Sequence, residues 1–229
     1  MDTRRFILSA ALGIFGLPLS TVPSLSADAC SFTMPRDVVV SLSRRDGEVQ
    51  LDNRKTRAEL RTMQRGKGQA GAFGAGWTPV GLTLTELKYA MKVRVEAVTA
   101  GQGRYCARLT EVAAEIGFDA MNVFIANRFK PGTCAYRSIN DHELTHVAVF
   151  RETLDVYHPR MLRRLERTAR SLGPVRASSP DAAARQLQAK LRTAVDPLFA
   201  EMNRTMHRNN GRLDTPERYR AEQSRCAEW

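Results

Sequence analysis

The chain has 229 residues, 43% of them apolar and 7% aromatic, enough aliphatic material for one domain around a single core. That composition excludes collagen, coiled-coil and fully disordered chains. The formal net charge of +11 favours anionic partners.

Arg4 and Arg5 precede an apolar run, Phe6 to Leu19, and then the small residues Leu25-Ser26-Ala27. This predicts a signal peptide over 1–27, with 28–229 as a single domain in the periplasm or outside the cell. Thr3-Arg4-Arg5-Phe6 also fits a loose twin-arginine signal, so the general secretory and twin-arginine routes both stay open. After cleavage no segment is long and apolar enough to span a membrane. For an exported chain the expected anionic partners are envelope polymers, rather than nucleic acid. All four cysteines, Cys30, Cys106, Cys134 and Cys226, lie beyond the cleavage point, which predicts two disulfides in one of three connectivities.

Val38 to Leu42 and Glu48 to Leu51 read as two short strands about a turn at Arg45-Asp46-Gly47. Residues 53–81 are basic and glycine-rich and read as a loop or flap, with Trp77 as an anchor onto the core. From Tyr89 to Val98 apolar and charged residues alternate, the mark of a half-buried strand. Tyr105 to Val112 and Met121 to Ile125 add two more, which predicts an antiparallel β-meander.

The second half reads as helical. Ser138 caps a helix that ends before Pro159, and Met161 to Leu172 forms the next. Ser178-Ser179-Pro180-Asp181 starts a third, and Pro197 to Met206 a shorter fourth. The tail from Asn209 is polar and turn-rich. The expected class is α+β, with helices packed on the meander and a zincin-like active-site helix.

That helix carries His142-Glu143-Leu144-Thr145-His146, an H-E-x-x-H pattern. Histidines four apart on a helix differ by about 40° in direction, so both imidazoles can hold one metal ion, expected to be Zn²⁺. Glu143 is turned about 100° from His142 and is free to act as general base toward a zinc-activated water. With four histidines in the chain, the pattern arises by chance in roughly one chain in 250 of this composition.

A third protein ligand is needed. Glu152 is poorly directed on a continuous helix, Glu166 and Glu201 lie on later predicted helices, and His158 beside Pro159 suits a structural role. His207 is the one histidine left unassigned. Tyr136, Arg137, Tyr157 and Tyr219 are candidates to stabilise an oxyanion. Met202 and Met206 read as core.

Cys134-Ala135-Tyr136-Arg137 leading into His142–His146, with Asn203-Arg204-Thr205-Met206-His207 downstream, resembles the bacterial family of predicted secreted zinc-dependent proteases (domain of unknown function 922). Asn203 stands where that family usually has aspartate, and the glycine falls late, at Gly211. The resemblance spans roughly residues 80–220. It implies zinc at His142 and His146, catalysis by Glu143, and His207 as the favoured third ligand.

The expected function is therefore an exported zinc metallopeptidase that hydrolyses an amide bond in a peptide, protein or peptidoglycan substrate. The alternative is a non-catalytic, basic envelope-binding protein whose histidine pair is structural or stores metal.

Overall fold

A computed structural model describes residues 30, 32, 37–66 and 78–229. The predicted signal peptide and Trp77 lie outside the described residues. The elements in chain order are β1 (Val39–Asp52), α1 (Arg57–Gly66), β2 (Gly81–Thr99), β3 (Tyr105–Ile125), α2 (Cys134–Ser171), β4 (Val175–Ala177), α3 (Pro180–Gly211) and α4 (Pro216–Gln223). The class is α+β. Helices α2 and α3 cover one face of a four-stranded sheet whose main order is β1-β3-β2.

The sheet is mixed rather than a meander. β2 and β3 form an antiparallel hairpin, while β1 runs parallel to β3, from Val39 beside Glu111 to Asp52 beside Phe124. The chain reaches that arrangement because α1 and β2 separate β1 from its partner. The two short strands expected around Gly47 are one continuous strand, since Gly47 bends the backbone (φ +71°) without reversing it. The second and third strands of the expected meander are likewise the single strand β3. A bulge explains the false break: Thr85 faces Met121 and Leu87 faces Phe118, so β3 holds one extra residue there. The bulge resets the alternation so that Val112, Ile116 and Phe118 before it, and Met121 and Val123 after it, all reach the same core. Gly117 sits beside this bulge at φ +144°, and a Cβ there would collide with the backbone oxygen of Arg45. Only glycine allows β1 to come this close.

Helix α2 begins earlier than expected. Thr133 is its N-cap, with its hydroxyl accepting from the Tyr136 N–H at 3.2 Å, and Ser138 lies inside the helix. Neither Pro159 nor Pro197 ends its helix. Both are exposed, so each ring is accommodated on the solvent side while its helix continues. In the turn before Pro197, Arg164 donates to the Ala194 carbonyl at 3.1 Å.

Helices α2 and α3 are antiparallel, because the cross-contacts run in opposite directions: Arg164 to Ala194, Tyr157 to Glu201, His146 to Asn210. Val147, Leu154, Met161 and Leu165 of α2 meet Leu187, Leu191, Val195 and Met202 of α3 over the sheet. Each such side chain contributes about 1.5–3 kcal/mol on burial. That core fixes α2 rigidly and with it everything α2 carries.

Two disulfides are present, Cys30–Cys106 and Cys134–Cys226. The second closes a span of 92 residues and ties the tail to the start of α2. Chain-entropy reasoning gives a closure of that length about 4–5 kcal/mol. Among the described residues no helix is long and apolar enough to cross a membrane.

Candidate metal centre

His142, Glu143 and His146 are all buried on α2, Glu143 against the start of β2 and the two histidines against the end of α3 and the segment after it. The third member of the group comes from outside that helix. Asp214, between α3 and α4, brings one carboxylate oxygen to both imidazoles. Its Oδ1 is 3.2 Å from His142 Nε2 and 3.2 Å from His146 Nε2, and the two Nε2 atoms are 3.1 Å apart. Three ligand atoms therefore form a nearly equilateral triangle.

The triangle has the size a tetrahedral site needs. An ion about 2.0–2.1 Å from each atom would see them at angles of roughly 100°, leaving a fourth position open. The outer nitrogens support the same arrangement. His142 Nδ1 donates to Glu222 Oε1 at 3.1 Å, and His146 Nδ1 donates to Asn210 Oδ1 at 2.8 Å. Asn210 is oriented by its own amide, which donates to the Met206 carbonyl at 2.8 Å. With both Nδ1 protons directed outward, each Nε2 faces Asp214 and offers its lone pair to a cation once its own proton is lost. Protons on the two Nε2 atoms satisfy Asp214 in the metal-free chain, and a divalent cation can take their place. Two imidazoles and a carboxylate suit a first-row divalent ion. His142, His146 and Asp214 could thus bind a metal ion.

The electrostatics favour positive charge there. Burial works against a charged His142, yet Asp214, Glu143 and Glu222 outweigh it and carry the imidazole up to about 9. His146 is raised against the same burial by Asp214, Glu143 and Asn210. Burial pushes Asp214 up, but its hydrogen bonds with His142 and His146 prevail and hold it well below the usual carboxylate range. A field that draws protons to these rings also draws a cation.

Glu143 is deeply buried, and burial raises its carboxyl above the ordinary value despite the two histidines. Thr83 of β2 donates to its Oε2 at 2.7 Å. Its Oε1 lies against Gly81, where a Cβ would collide with that oxygen and come within 2.7 Å of Ile139 Cγ2. The start of β2 is thus shaped to hold this carboxylate: a glycine leaves the space and a threonine fixes the orientation. Tyr219 of α4 completes the rim. Its hydroxyl donates to Asp214 Oδ1 at 2.7 Å and lies 3.3 Å from His142 Nε2.

The structure does not bring His207 to the pair. On α3, Met202 and Met206 face the core and Asn210 continues that line, while His207 is turned about 100° from Met206 and is exposed. Glu201 is engaged with Tyr157 and Arg160. Glu166 lies on α2 itself, about 30 Å along the axis from His146, because the helix does not stop at Pro159. Glu152 is exposed, and His158 is structural, with Nε2 donating to the Leu42 carbonyl at 2.9 Å. Of the four oxyanion candidates only Tyr219 stands at the site. Tyr157 bonds to Glu201 and Thr205, Tyr136 packs in a separate apolar cluster, and Arg137 donates to the Gly132 carbonyl.

Asp214, Asn210 and Glu222 are absent from the sequence reading. A signal for two of them exists: Thr215-Pro216-Glu217 is a helix start, with threonine as N-cap and proline in the first turn. Read so, it places Tyr219 and Glu222 three apart on one face, with Asp214 just before the cap.

Compared with models of known families, with curated proteins and with solved structures, the chain has no match in any of the three.

Proposed function

We propose that the protein is a zinc-dependent hydrolase of the metallopeptidase type, with His142, His146 and Asp214 as ligands and Glu143 as general base. The observation that carries this reading is the convergence of three ligand atoms beside a buried carboxylate on the same helix. Zinc held there would act as a Lewis acid, acidifying water and polarising a carbonyl. Glu143, kept from binding the metal by its position on α2 and by Thr83, takes the proton of the attacking water and returns it to the leaving amine. Tyr219 is placed to donate to the developing oxyanion once its bond to Asp214 is exchanged. Glu222 and Asn210 hold the two imidazoles in the tautomer that a metal requires.

The substrate class that fits is an amide of a peptide, a protein or peptidoglycan. The two disulfides suit an oxidising compartment such as the periplasm or the cell exterior. The resemblance of residues 134–146 to the predicted secreted zinc-dependent proteases points to the same class, while His207 has no part in this reading.

Glu143→Gln is the decisive variant. It is expected to bind zinc as the native chain does, about one ion per chain, and to lose turnover of a peptide library or of purified peptidoglycan by at least 100-fold. Undiminished turnover would remove Glu143 from the mechanism. A native chain that binds zinc and turns over neither substrate would favour the binding-protein alternative.

A further inference from the structure

We infer that the Cys134–Cys226 disulfide regulates the metal centre: oxidised, it locks the tail over His142 and His146, and reduced, it loosens their hold on the metal. This rests on the metal-binding reading above, though not on hydrolysis.

Asp214, Tyr219 and Glu222 all belong to the segment after α3, and that segment is thinly attached. Helix α4 buries none of its residues. Upstream it is held by Leu213, at 8% exposure, and by the end of α3. Downstream lie Trp229, whose ring edges Phe129 at 6.0 Å and whose carbonyl accepts from Arg128 at 3.2 Å, and the disulfide itself. Cys226 is three residues past the end of α4, and Cys134 is the first residue of α2, two turns before His142. The bond therefore fixes α4 to the helix that carries both histidines. Without it, Asp214 stays near the end of α3, but Tyr219 and Glu222 lose their main tether. The imidazole of His142 then loses its orienting carboxylate, and Asp214 loses the tyrosine that aims it.

The bond is also open to attack. Cys134 is exposed while its partner Cys226 is buried, and in the other disulfide Cys30 is half-buried and Cys106 buried, so attack falls most readily on Cys134. A thiolate of an external dithiol attacks Cys134 Sγ and expels Cys226 as a thiolate. The second thiol of the reagent then displaces Cys134. The chain gains two electrons and two protons, and the dithiol leaves as its own disulfide. An oxidised dithiol reverses both steps.

The test uses the full chain. Zinc affinity is measured by competition with a chromophoric chelator for the oxidised protein, for C134S/C226S and for C30S/C106S. The first variant is expected to bind zinc about 10–100-fold more weakly, the range for lost orienting partners, and the second within about threefold of native. Native affinity in C134S/C226S overturns the inference. A second measurement needs no variant. By reciprocity, bound zinc must protect the disulfide that supports its site. At equilibrium in a dithiol redox buffer, thiol alkylation and mass spectrometry should show a smaller fraction of Cys134–Cys226 reduced in the zinc-loaded protein, with Cys30–Cys106 unaffected. An equal reduced fraction with zinc bound overturns the inference while leaving the metal site standing. No zinc uptake by the oxidised native chain overturns both.

Discussion

The candidate centre is assembled from two regions that differ in how they are held. His142, Glu143 and His146 ride on α2, whose Val147, Leu154 and Met161 are sealed between the sheet and α3. Asp214, Tyr219 and Glu222 ride on a short segment with no buried residue in its helix. Packing sets the first region, while polar contacts and one covalent bond set the second. The contrast teaches that a packed helix can hold two imidazoles in place while the carboxylate that completes the group comes from a part with almost no core of its own.

The largest break in that contrast comes from the packed side. Leu154→Ala should cost about 2–5 kcal/mol of stability, because Leu154 is fully buried in the main core. Denaturant titration of the metal-free protein checks this, and a loss under 1 kcal/mol would show that α2 is less tightly clamped than described. On the other side, Asp214→Ala should weaken zinc binding by at least about 100-fold with the far-UV circular dichroism unchanged, while His207→Ala stays within about twofold of native. The reverse ranking would restore His207 as the ligand.

Protonation sharpens the comparison further. His142, held up to about 9 in the folded chain against an ordinary 6.5, stabilises the metal-free protein fully below about pH 6.5, and that contribution fades as pH rises through 9. The raised His146 acts in the same sense. Thermal midpoints of the metal-free protein should therefore fall between about pH 6.5 and 9. Zinc competes with those protons, so its stabilising increment should grow over the same window. A flat profile for the metal-free chain would contradict the charge arrangement. A smaller effect belongs to Thr83→Val, which should lower turnover about tenfold with zinc affinity unchanged, since Thr83 touches Glu143 and no ligand atom. The smallest is Arg218→Ala on exposed α4, within about 0.5 kcal/mol in stability.

How much could be read in advance follows the same division. The α+β class and the histidine–glutamate helix are legible because each is a local pattern: alternation for strands, a four-residue spacing for the pair. The long strand β3 is not, because its bulge at 118–121 mimics a strand end. The two long helices are cut short in a sequence reading because Pro159 and Pro197 are strong local breakers. Their solvent-facing placement, which removes most of the penalty, is a tertiary fact. Asp214 stays hidden for another reason: no spacing rule links it to His146 across 68 residues. The family resemblance directed attention to His207, whose neighbour Met206 takes the inward direction on α3.

The parallel seam between β1 and β3 carries a consequence for the order of assembly. Val39 finds its partner at Glu111, so a chain synthesised from its N-terminus exposes β1 for about 70 residues before β3 exists. The β2–β3 hairpin, joined by a tight turn, can zip on its own, and β1 then docks on a preformed edge beside Gly117. Until that moment β1 is an unpaired strand with apolar side chains on offer. A holding chaperone, or rapid closure of the hairpin, would decide whether newly made molecules mature or clump.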